Sequence, residues 1–206
     1  MRKALCVDLG TGKMQLEPVP QFEALSINEH QCTHVYGPRY HLLLVGAGQI
    51  AECLVQVATL MDYRVLVTDP RADQLNAFQT RLSGRDTNVE CLSGMPDDVV
   101  REYDNDPFSI VITLTHDPRI DDMALMEALA LNNFYVGALG SRQSTAKRLQ
   151  RLQQLDLPPR HLDRLHAPVG LSIGSKTAAA SSSWLLVDRN DLAATSERRC
   201  VHRLCW

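Results

Sequence analysis

Residues 41–51 read HLLLVGAGQIA, a short apolar run that leads directly into two glycines. Four consecutive apolar residues, Leu42 to Val45, are typical of a parallel strand that is buried on both faces. Apolar residues then recur at the three- and four-residue spacing of a helix; they are Ile50, Leu54, Val57, Ala58 and Met61. The stretch therefore predicts a strand, a tight turn and a helix in direct succession.

The turn between this strand and this helix matches the pattern GxGxxA. Gly46 would permit the tight turn, Gly48 would let the backbone approach a pyrophosphate, and Ala51 would let the helix pack closely on the strand. The start of the helix, at Gln49, would offer free N–H groups and a partial positive charge to phosphates. The same glycines also suit a tight turn that binds no ligand, so both interpretations stay open.

An acidic residue, Asp69, follows the second predicted strand, residues 64–68, about 20 residues beyond the glycine turn. A carboxylate at this place can accept hydrogen bonds from a ribose 2′-hydroxyl, and it would repel a 2′-phosphate. Asp69 therefore favours NAD over NADP as the bound dinucleotide. Arg71 weakens this preference, because its side chain can fold over a phosphate. Both residues belong to the candidate cofactor site.

Strands and helices alternate along residues 41–155. Beyond the first two strands, apolar runs predict further strands at 88–92, 109–114 and 134–137. Helical patterns predict helices at 72–82, 96–103, 120–131 and 144–155. This alternation predicts an α/β fold, a Rossmann-type doubly wound parallel sheet with the strand order 3-2-1-4-5.

The chain has 206 residues, of which 45% are hydrophobic and 22% charged, and its formal net charge is -3. This composition is typical of a soluble globular protein and argues against nucleic acid or a membrane surface as a partner. Asp8 and Gly10 interrupt the apolar residues at the N-terminus, and no stretch of about 18 apolar residues occurs. We therefore expect no signal peptide, no membrane span and a cytoplasmic location.

Three segments are expected along the chain: an irregular N-terminal lead-in over 1–40, the Rossmann-type domain over 41–179 and an atypical tail over 180–206. The six cysteines include no CxxC pair. Cys200, His202 and Cys205 lie close together in the tail, but a fourth ligand is not evident. The sequence therefore predicts no metal site.

Polar residues follow the fourth predicted strand at the edge where open parallel sheets bind ligands. They are Thr115, His116 and Asp117. His116 can exchange a proton near neutral pH, and Asp117 can orient it or bind a cation, so both are candidate catalytic residues. Thr115 is a candidate cofactor-binding residue. The alternative is that Thr115 or Asp117 only caps the next helix.

The fifth predicted strand leads into a second glycine-rich turn, with Gly140, Ser141 and Arg142 just before a helix. This turn is a second candidate anion site, in which Arg142 would bind a phosphate with two hydrogen bonds. The alternative is a helix cap with a solvated arginine. A later loop, residues 166–177, carries glycines, hydroxyls and a lysine and is expected to line the same cleft.

Five motifs occur together and in order: LVGAG at 44–48, TDPR at 68–71, THD at 115–117, GALGSR at 137–142 and HAPVGLSIG at 166–174. In this combination the chain resembles the xanthine dehydrogenase accessory family (XdhC/CoxI) over about residues 37–179. The family's matched positions are Gly46, Gly48, Asp69, His116, Asp117, Gly140, Ser141 and Arg142. The resemblance implies that these positions lie at the ligand cleft.

The resemblance also implies a function. Members of the family bind molybdenum cofactor (molybdopterin) and assist its sulfuration and its insertion into xanthine dehydrogenase or a related molybdenum hydroxylase. They act as cytoplasmic chaperones without catalysis of their own, often as homodimers, and a cysteine desulfurase can be a partner.

Two alternatives rest on the residues alone: an NAD-dependent oxidoreductase with His116 as acid or base, and a nucleotide sensor without chemistry. The first is disfavoured because the residues that follow the fifth strand are too few for a substrate domain.

Overall fold

The computed structural model describes residues 3–18, 25–36, 40–84, 89–103, 108–155 and 157–170. The chain divides into two compact units, Met1–Arg39 and Tyr40–Trp206. The second half of the predicted loop at 166–177 and the whole predicted tail at 180–206, with Cys200, His202 and Cys205, lie outside the described residues.

The first unit contains an antiparallel sheet. Its strands are β1 (Lys3–Asp8), β2 (Met14–Pro18), β3 (Leu25–Ile27) and β4 (Gln31–Tyr36), in the order β2-β1-β4-β3. The expectation of an irregular lead-in over 1–40 is therefore wrong for the described part of this segment.

Short polar turns explain why this sheet forms. The Asp8 carboxylate accepts hydrogen bonds from the amides of Gly10 and Thr11 at 3.0 and 2.6 Å, which closes the turn between β1 and β2. The Asn28 side chain does the same between β3 and β4, where it accepts from His30 and Gln31 at 2.9 and 2.7 Å. Such side-chain turns mimic backbone turns and leave only a weak signal in a hydrophobicity pattern.

The second unit alternates strands with helices. Its elements are β5 (His41–Val45), α1 (Gln49–Leu60), β6 (Arg64–Thr68), α2 (Ala72–Leu82), β7 (Val89–Leu92), α3 (Pro96–Tyr103), β8 (Ser109–Thr113), α4 (Pro118–Ala130), β9 (Tyr135–Ala138), α5 (Arg142–Gln154), α6 (Pro159–Leu162) and β10 (Leu165–His166). The strands form one parallel sheet in the order β10-β9-β8-β5-β6-β7. The predicted doubly wound α/β fold is confirmed, and β10 extends it by a strand of two residues, too short to leave a pattern.

The core lies on both faces of this sheet. In β5, Leu42 to Val45 are all 0% exposed, as expected of a central parallel strand. Helices α1 and α2 cover one face, and α3, α4 and α5 cover the other. Each fully buried large apolar side chain contributes about 1.5–3 kcal/mol to folding. The helices change face between β5 and β8, so a crevice opens there at the carboxyl ends of the strands.

Helix α4 ends against an arginine from a later segment. Its last turn contains no basic residue, but Arg164 donates hydrogen bonds to the carbonyl oxygens of Leu129, Leu131 and Asn133 at 2.9, 2.7 and 2.8 Å. Arg164 thus satisfies carbonyls that the helix leaves without partners at its end.

No helix in the part of the chain that the structure describes has both the length and the apolar character needed to cross a membrane.

Candidate functional site

The glycine turn joins two neighbouring strand ends. Gly46 has φ +117°, a conformation that only glycine adopts readily. A Cβ atom on Gly46 would lie 2.9 Å from Cγ2 of Thr115 and 3.1 Å from its amide nitrogen. The backbone after β5 therefore lies directly against the first residues beyond β8, and a side chain at position 46 would separate them.

The start of α1 has the open geometry that its motif predicts. Gly48 precedes the helix in an extended conformation, and a Cβ atom placed on it would meet nothing within 4 Å. None of the described side chains caps the first turn, and Gln49 is exposed. Ala51 is 0% exposed because it faces the core. A ligand can thus approach the backbone at Gly48, as expected of this turn.

Asp69 is already occupied by protein donors. Its Oδ2 atom accepts hydrogen bonds from the Ala47 amide at 3.0 Å and from Nη2 of Arg71 at 2.7 Å. Its Oδ1 atom accepts from the Arg71 amide at 3.0 Å and from Nε of Arg71 at 2.8 Å. A carboxylate has about four acceptor positions, so all of them are filled. The side chain expected to hold a ribose instead holds the glycine turn to the segment after β6.

Asp69 and Arg71 each stabilise the charged form of the other. Burial alone would raise the pKa of Asp69, but the hydrogen bonds from Arg71 and from the Ala47 amide outweigh burial and lower that pKa. The pKa of Arg71 is raised, mainly by its hydrogen bond to Asp69 and further by the carboxylates of Asp117 and Asp121. Both members are therefore ionised near neutral pH, and Arg71 lies in the electrostatic field of the residues that follow β8.

A second arginine, Arg81 on α2, holds the glycine turn from another direction. Its Nη2 atom donates a hydrogen bond to the Ala47 carbonyl oxygen at 3.3 Å. A short ion pair to Glu52 on α1 fixes the same guanidinium. Ala47 is thus bound at both its N–H and its C=O group. Arg81 was not among the predicted site residues, because nothing in its spacing links it to the turn.

The residues after β8 order their own loop. The Thr115 hydroxyl donates to Oδ1 of Asp121 at 2.7 Å and accepts a hydrogen bond from the Asp117 amide at 3.2 Å. Thr115 is buried, so its side chain serves the loop. His116 is exposed and lines a cleft. The candidate catalytic role of His116 stays a prediction.

Asp117 is the N-cap of α4. It accepts a hydrogen bond from the Arg119 amide at 2.9 Å and binds the Arg119 guanidinium at 3.3 and 3.1 Å. These bonds lower its pKa, the side-chain bonds from Arg119 more than the backbone bond. Among the described residues no hydrogen bond joins Asp117 to His116. The geometry is that of the capping alternative, and a catalytic role for Asp117 stays a prediction.

The turn after β9 caps its own helix. The Ser141 hydroxyl accepts a hydrogen bond from the Ser144 amide at 3.1 Å, and the Ser144 hydroxyl accepts one from the Ser141 amide at 2.7 Å. A Cβ atom on Gly140 would lie 2.6 Å from the Ser144 hydroxyl, so glycine is needed for this reciprocal cap to close. Arg142 is exposed at the first residue of α5 and does not line the cleft.

A cleft of about 290 Å³ opens at the carboxyl ends of β8 and β9. Its walls include Thr115, His116 and Asp121 from the side of β8, and Ser144, Lys147 and Arg151 from α5. Pro118 and Leu139 add apolar surface. We call this space the cation cleft, because three basic residues of α5, Lys147, Arg148 and Arg151, line it.

Two ion pairs involve residues that line the cation cleft. Nη2 of Arg148 lies 2.8 Å from Oδ2 of Asp121, with side chains only 6% and 1% exposed. Arg151 binds Asp122 through Nη2 at 3.1 Å. Burial raises the pKa of Asp121, against the opposing effects of Thr115 and Arg148. Lys147 is exposed and forms no ion pair with any described residue, so it leaves the cleft with a surplus positive charge.

Asp121 and Arg148 were not among the predicted site residues, although a signal exists. Thr145, Arg148 and Leu152 are the buried residues of α5, spaced by three and four positions. Leu155, by contrast, is 47% exposed, so the leucines of α5 do not all face the core. An arginine within a helical stripe of buried residues indicates a buried ionic partner, which α4 supplies as Asp121.

The sequence DPRxD occurs twice, at 69–73 and at 117–121. In each copy the first aspartate follows a strand, accepts a hydrogen bond from the amide two residues on, and binds that residue's guanidinium with both oxygens. We call these pairs the Asp69 clamp and the Asp117 clamp. The Asp69 side chain is 0% exposed, whereas the Arg119 side chain of the other clamp is 89% exposed. Both clamps could have been predicted from this repeated sequence.

Comparison with known proteins places the second unit in a family. A family model described as the XdhC Rossmann domain matches residues 42–182. The chain is 29% identical over 143 residues to the uncharacterized protein YqeB of Escherichia coli strain K12, an alignment that covers 69% of this chain and 25% of that protein. It is 28% identical over 150 residues to a probable xanthine dehydrogenase subunit of Bacillus subtilis strain 168, over 68% of this chain and 38% of that protein.

A solved structure has the same fold. The crystal structure of a xanthine dehydrogenase from Bacillus halodurans matches with a TM-score of 0.73 and 24% identity, over 97% of this chain and 64% of that one. The chain thus spans less than two thirds of each of these relatives. Because the family model covers well over half of its length, the chain belongs to the XdhC Rossmann domain family.

Proposed function

We propose that this chain is an accessory factor that holds molybdenum cofactor and assists its insertion into xanthine dehydrogenase or a related molybdenum hydroxylase. The observation that carries the proposal is the cation cleft at the carboxyl ends of β8 and β9 in a domain of this family. The names of the relatives from Bacillus subtilis and Bacillus halodurans support xanthine dehydrogenase as the enzyme served.

The residues of the cleft fit the chemistry of the cofactor. Molybdopterin carries a phosphate and a flat ring system. Lys147 offers an ammonium group that no described carboxylate neutralises, and His116 offers an exposed imidazole, both suited to a phosphate. Leu139 and Pro118 offer apolar surface for a ring. The molybdenum centre supplies the chemistry of the recipient enzyme, and the role of this chain is to bind and release it.

Lys147 is the residue whose loss tests the proposal. We expect Lys147→Ala to weaken cofactor binding about ten-fold, because a charge-assisted hydrogen bond to phosphate is lost. The measurement uses molybdopterin released anaerobically from a purified molybdoenzyme, followed by quantification of the pterin that stays with the protein after gel filtration. Transfer to cofactor-free xanthine dehydrogenase is then followed by the recovery of its activity.

Arg160→Ala is the matched control, since Arg160 is an exposed cation on α6 outside the cleft, with no hydrogen bond to a described residue. It should bind and transfer the cofactor as the unchanged chain does. Equal losses in both variants, or no pterin retained by the unchanged chain, would refute the proposal. A homodimer and a cysteine desulfurase partner stay predictions.

A further inference from the structure

The Asp69 clamp lies where a Rossmann-type domain ordinarily recognises the adenosine ribose of a dinucleotide. A carboxylate can do so only if an acceptor position is free and the ligand can reach it. Asp69 meets neither condition. Four N–H donors of the protein fill its acceptor positions, and its side chain is 0% exposed. The ribose hydroxyls of NAD therefore find no acceptor here.

Arg71 is the group that covers this carboxylate. Its guanidinium supplies two of the four donors, at 2.8 and 2.7 Å, and its side chain is 47% exposed. Solvent thus meets a cation where the sequence predicts a carboxylate. The other two donors are the backbone amides of Ala47 and residue 71, which remain whatever side chain stands at position 71. Removal of the guanidinium would free two acceptor positions and leave the turn tied to Asp69.

We infer that Arg71 is a specificity-determining residue, because it covers Asp69 and so prevents recognition of a free ribose 2′-hydroxyl on a dinucleotide that approaches the glycine turn. The preference for NAD that Asp69 alone predicts is lost, because the hydroxyl would have to displace a bidentate ionic contact to reach the carboxylate. This inference goes beyond the proposed function. It concerns the turn between β5 and α1, and the cation cleft can bind its ligand whether Asp69 is covered or free.

Calorimetric titration of the full chain with NAD⁺ tests the inference. We expect Arg71→Ala to bind NAD⁺ at least about ten-fold more tightly than the unchanged chain, because hydrogen bonds from the ribose to an ionised carboxylate become available. Arg119→Ala is the matched control. It opens the same kind of clamp outside the glycine turn, so it should leave NAD⁺ affinity unchanged.

An altered ligand makes the test independent of the variants. NAD⁺ that lacks the 2′-hydroxyl of its adenosine ribose should bind the unchanged chain with the same affinity as NAD⁺, within about two-fold, and the gain in Arg71→Ala should disappear with it. If the unchanged chain prefers NAD⁺ by ten-fold or more, Asp69 is open and the inference fails.

The inference also fails if Arg71→Ala is folded, as judged by circular dichroism, and gains no affinity. Should that variant not fold, Arg71→Lys takes its place with the same readout, because lysine keeps the charge but cannot contact both oxygens in parallel. None of these results depends on whether the chain retains molybdopterin.

Discussion

Gly46 and Gly48 differ sharply in what a side chain would meet, although one motif contains both. Gly46 combines a positive φ with close contact to Thr115, whereas Gly48 is extended and faces open space. The motif assigns the turn to the first glycine and the approach of a ligand to the second. In the structure, Gly46 has the strained backbone conformation of a tight turn, and Gly48 is accessible to a ligand.

We therefore expect Gly46→Ala to destabilise the chain by about 3 kcal/mol, from backbone strain and overpacking together. Gly48→Ala should cost about 1 kcal/mol or less, because alanine is only a poorer N-cap than glycine. Urea unfolding followed by circular dichroism measures both. Similar losses in the two variants would mean that the contact between Gly46 and Thr115 is not tight.

At the scale of the single element, helix α4 is held at both ends by arginines that lie outside its core-facing surface. Arg119 binds the N-cap, Asp117, whereas Arg164 binds the carbonyl of Leu129 in the last turn and those of Leu131 and Asn133 just beyond it. Sequence alone indicates the first from the DPR repeat. It does not indicate the second, because Arg164 reaches α4 only after two further helices and a strand have turned the chain back.

The N-cap of α4 gives a pH dependence. Because the pKa of Asp117 lies below its ordinary value of 3.8 in the folded state, its carboxylate contributes stability above that value, and this stability is lost as the pH falls through the lowered pKa. We expect Asp117→Asn, which keeps an N-cap side chain, to lose less stability than the unchanged chain between about pH 5 and about pH 3.

Urea midpoints at a series of pH values supply the measurement for Asp117. Asp163→Asn is the control, since Asp163 is exposed and its side chain has no hydrogen bond among the described residues. Its stability should fall with pH in parallel with the unchanged chain. Parallel behaviour of Asp117→Asn as well would rule out a contribution from the cap.

The contacts at the C-terminal end of α4 should contribute measurably to the stability of the chain. Arg164→Ala should destabilise the chain by about 2–3 kcal/mol, because three carbonyl oxygens lose a charged donor at partly buried positions. Arg160→Ala on the neighbouring α6 removes an equal charge from the surface and should change stability by no more than about 0.5 kcal/mol. Thermal unfolding compares the two, and indistinguishable midpoints would contradict this account of the helix end.

At the scale of the whole molecule, the parallel sheet could be predicted from the sequence, because its strands are continuous apolar runs between glycines and helical patterns. The strand β8, for example, is buried at all five positions. The antiparallel sheet of the first unit was not predicted from the sequence. Its strands have only three to six residues each, and Asp8 and Asn28 close its turns through side-chain hydrogen bonds that no periodicity reveals.

The sequence predicted where the candidate site lies, but not which residues form hydrogen bonds and ion pairs within it. Strand ends and glycines located Gly46, Asp69 and His116 at one edge of the sheet. Which donors fill the acceptors of Asp69 depends on how α2 and the glycine turn meet, a three-dimensional fact that spacing does not carry. Buried Arg148 and exposed Lys147 belong to the site only because α5 turns its basic residues toward the cleft.

The closeness of Gly46 to the backbone after β8 limits which residues evolution can place at position 46. A Cβ atom at position 46 would meet the Thr115 amide nitrogen at 3.1 Å and the Leu114 carbonyl carbon at 3.2 Å as well as Cγ2 of Thr115, so a smaller residue at position 115 would relieve only one of the three contacts. The φ of +117° also lies outside the left-handed region that asparagine and aspartate tolerate. Glycine should therefore persist at position 46 among descendants of this domain, whatever residue they carry at position 115.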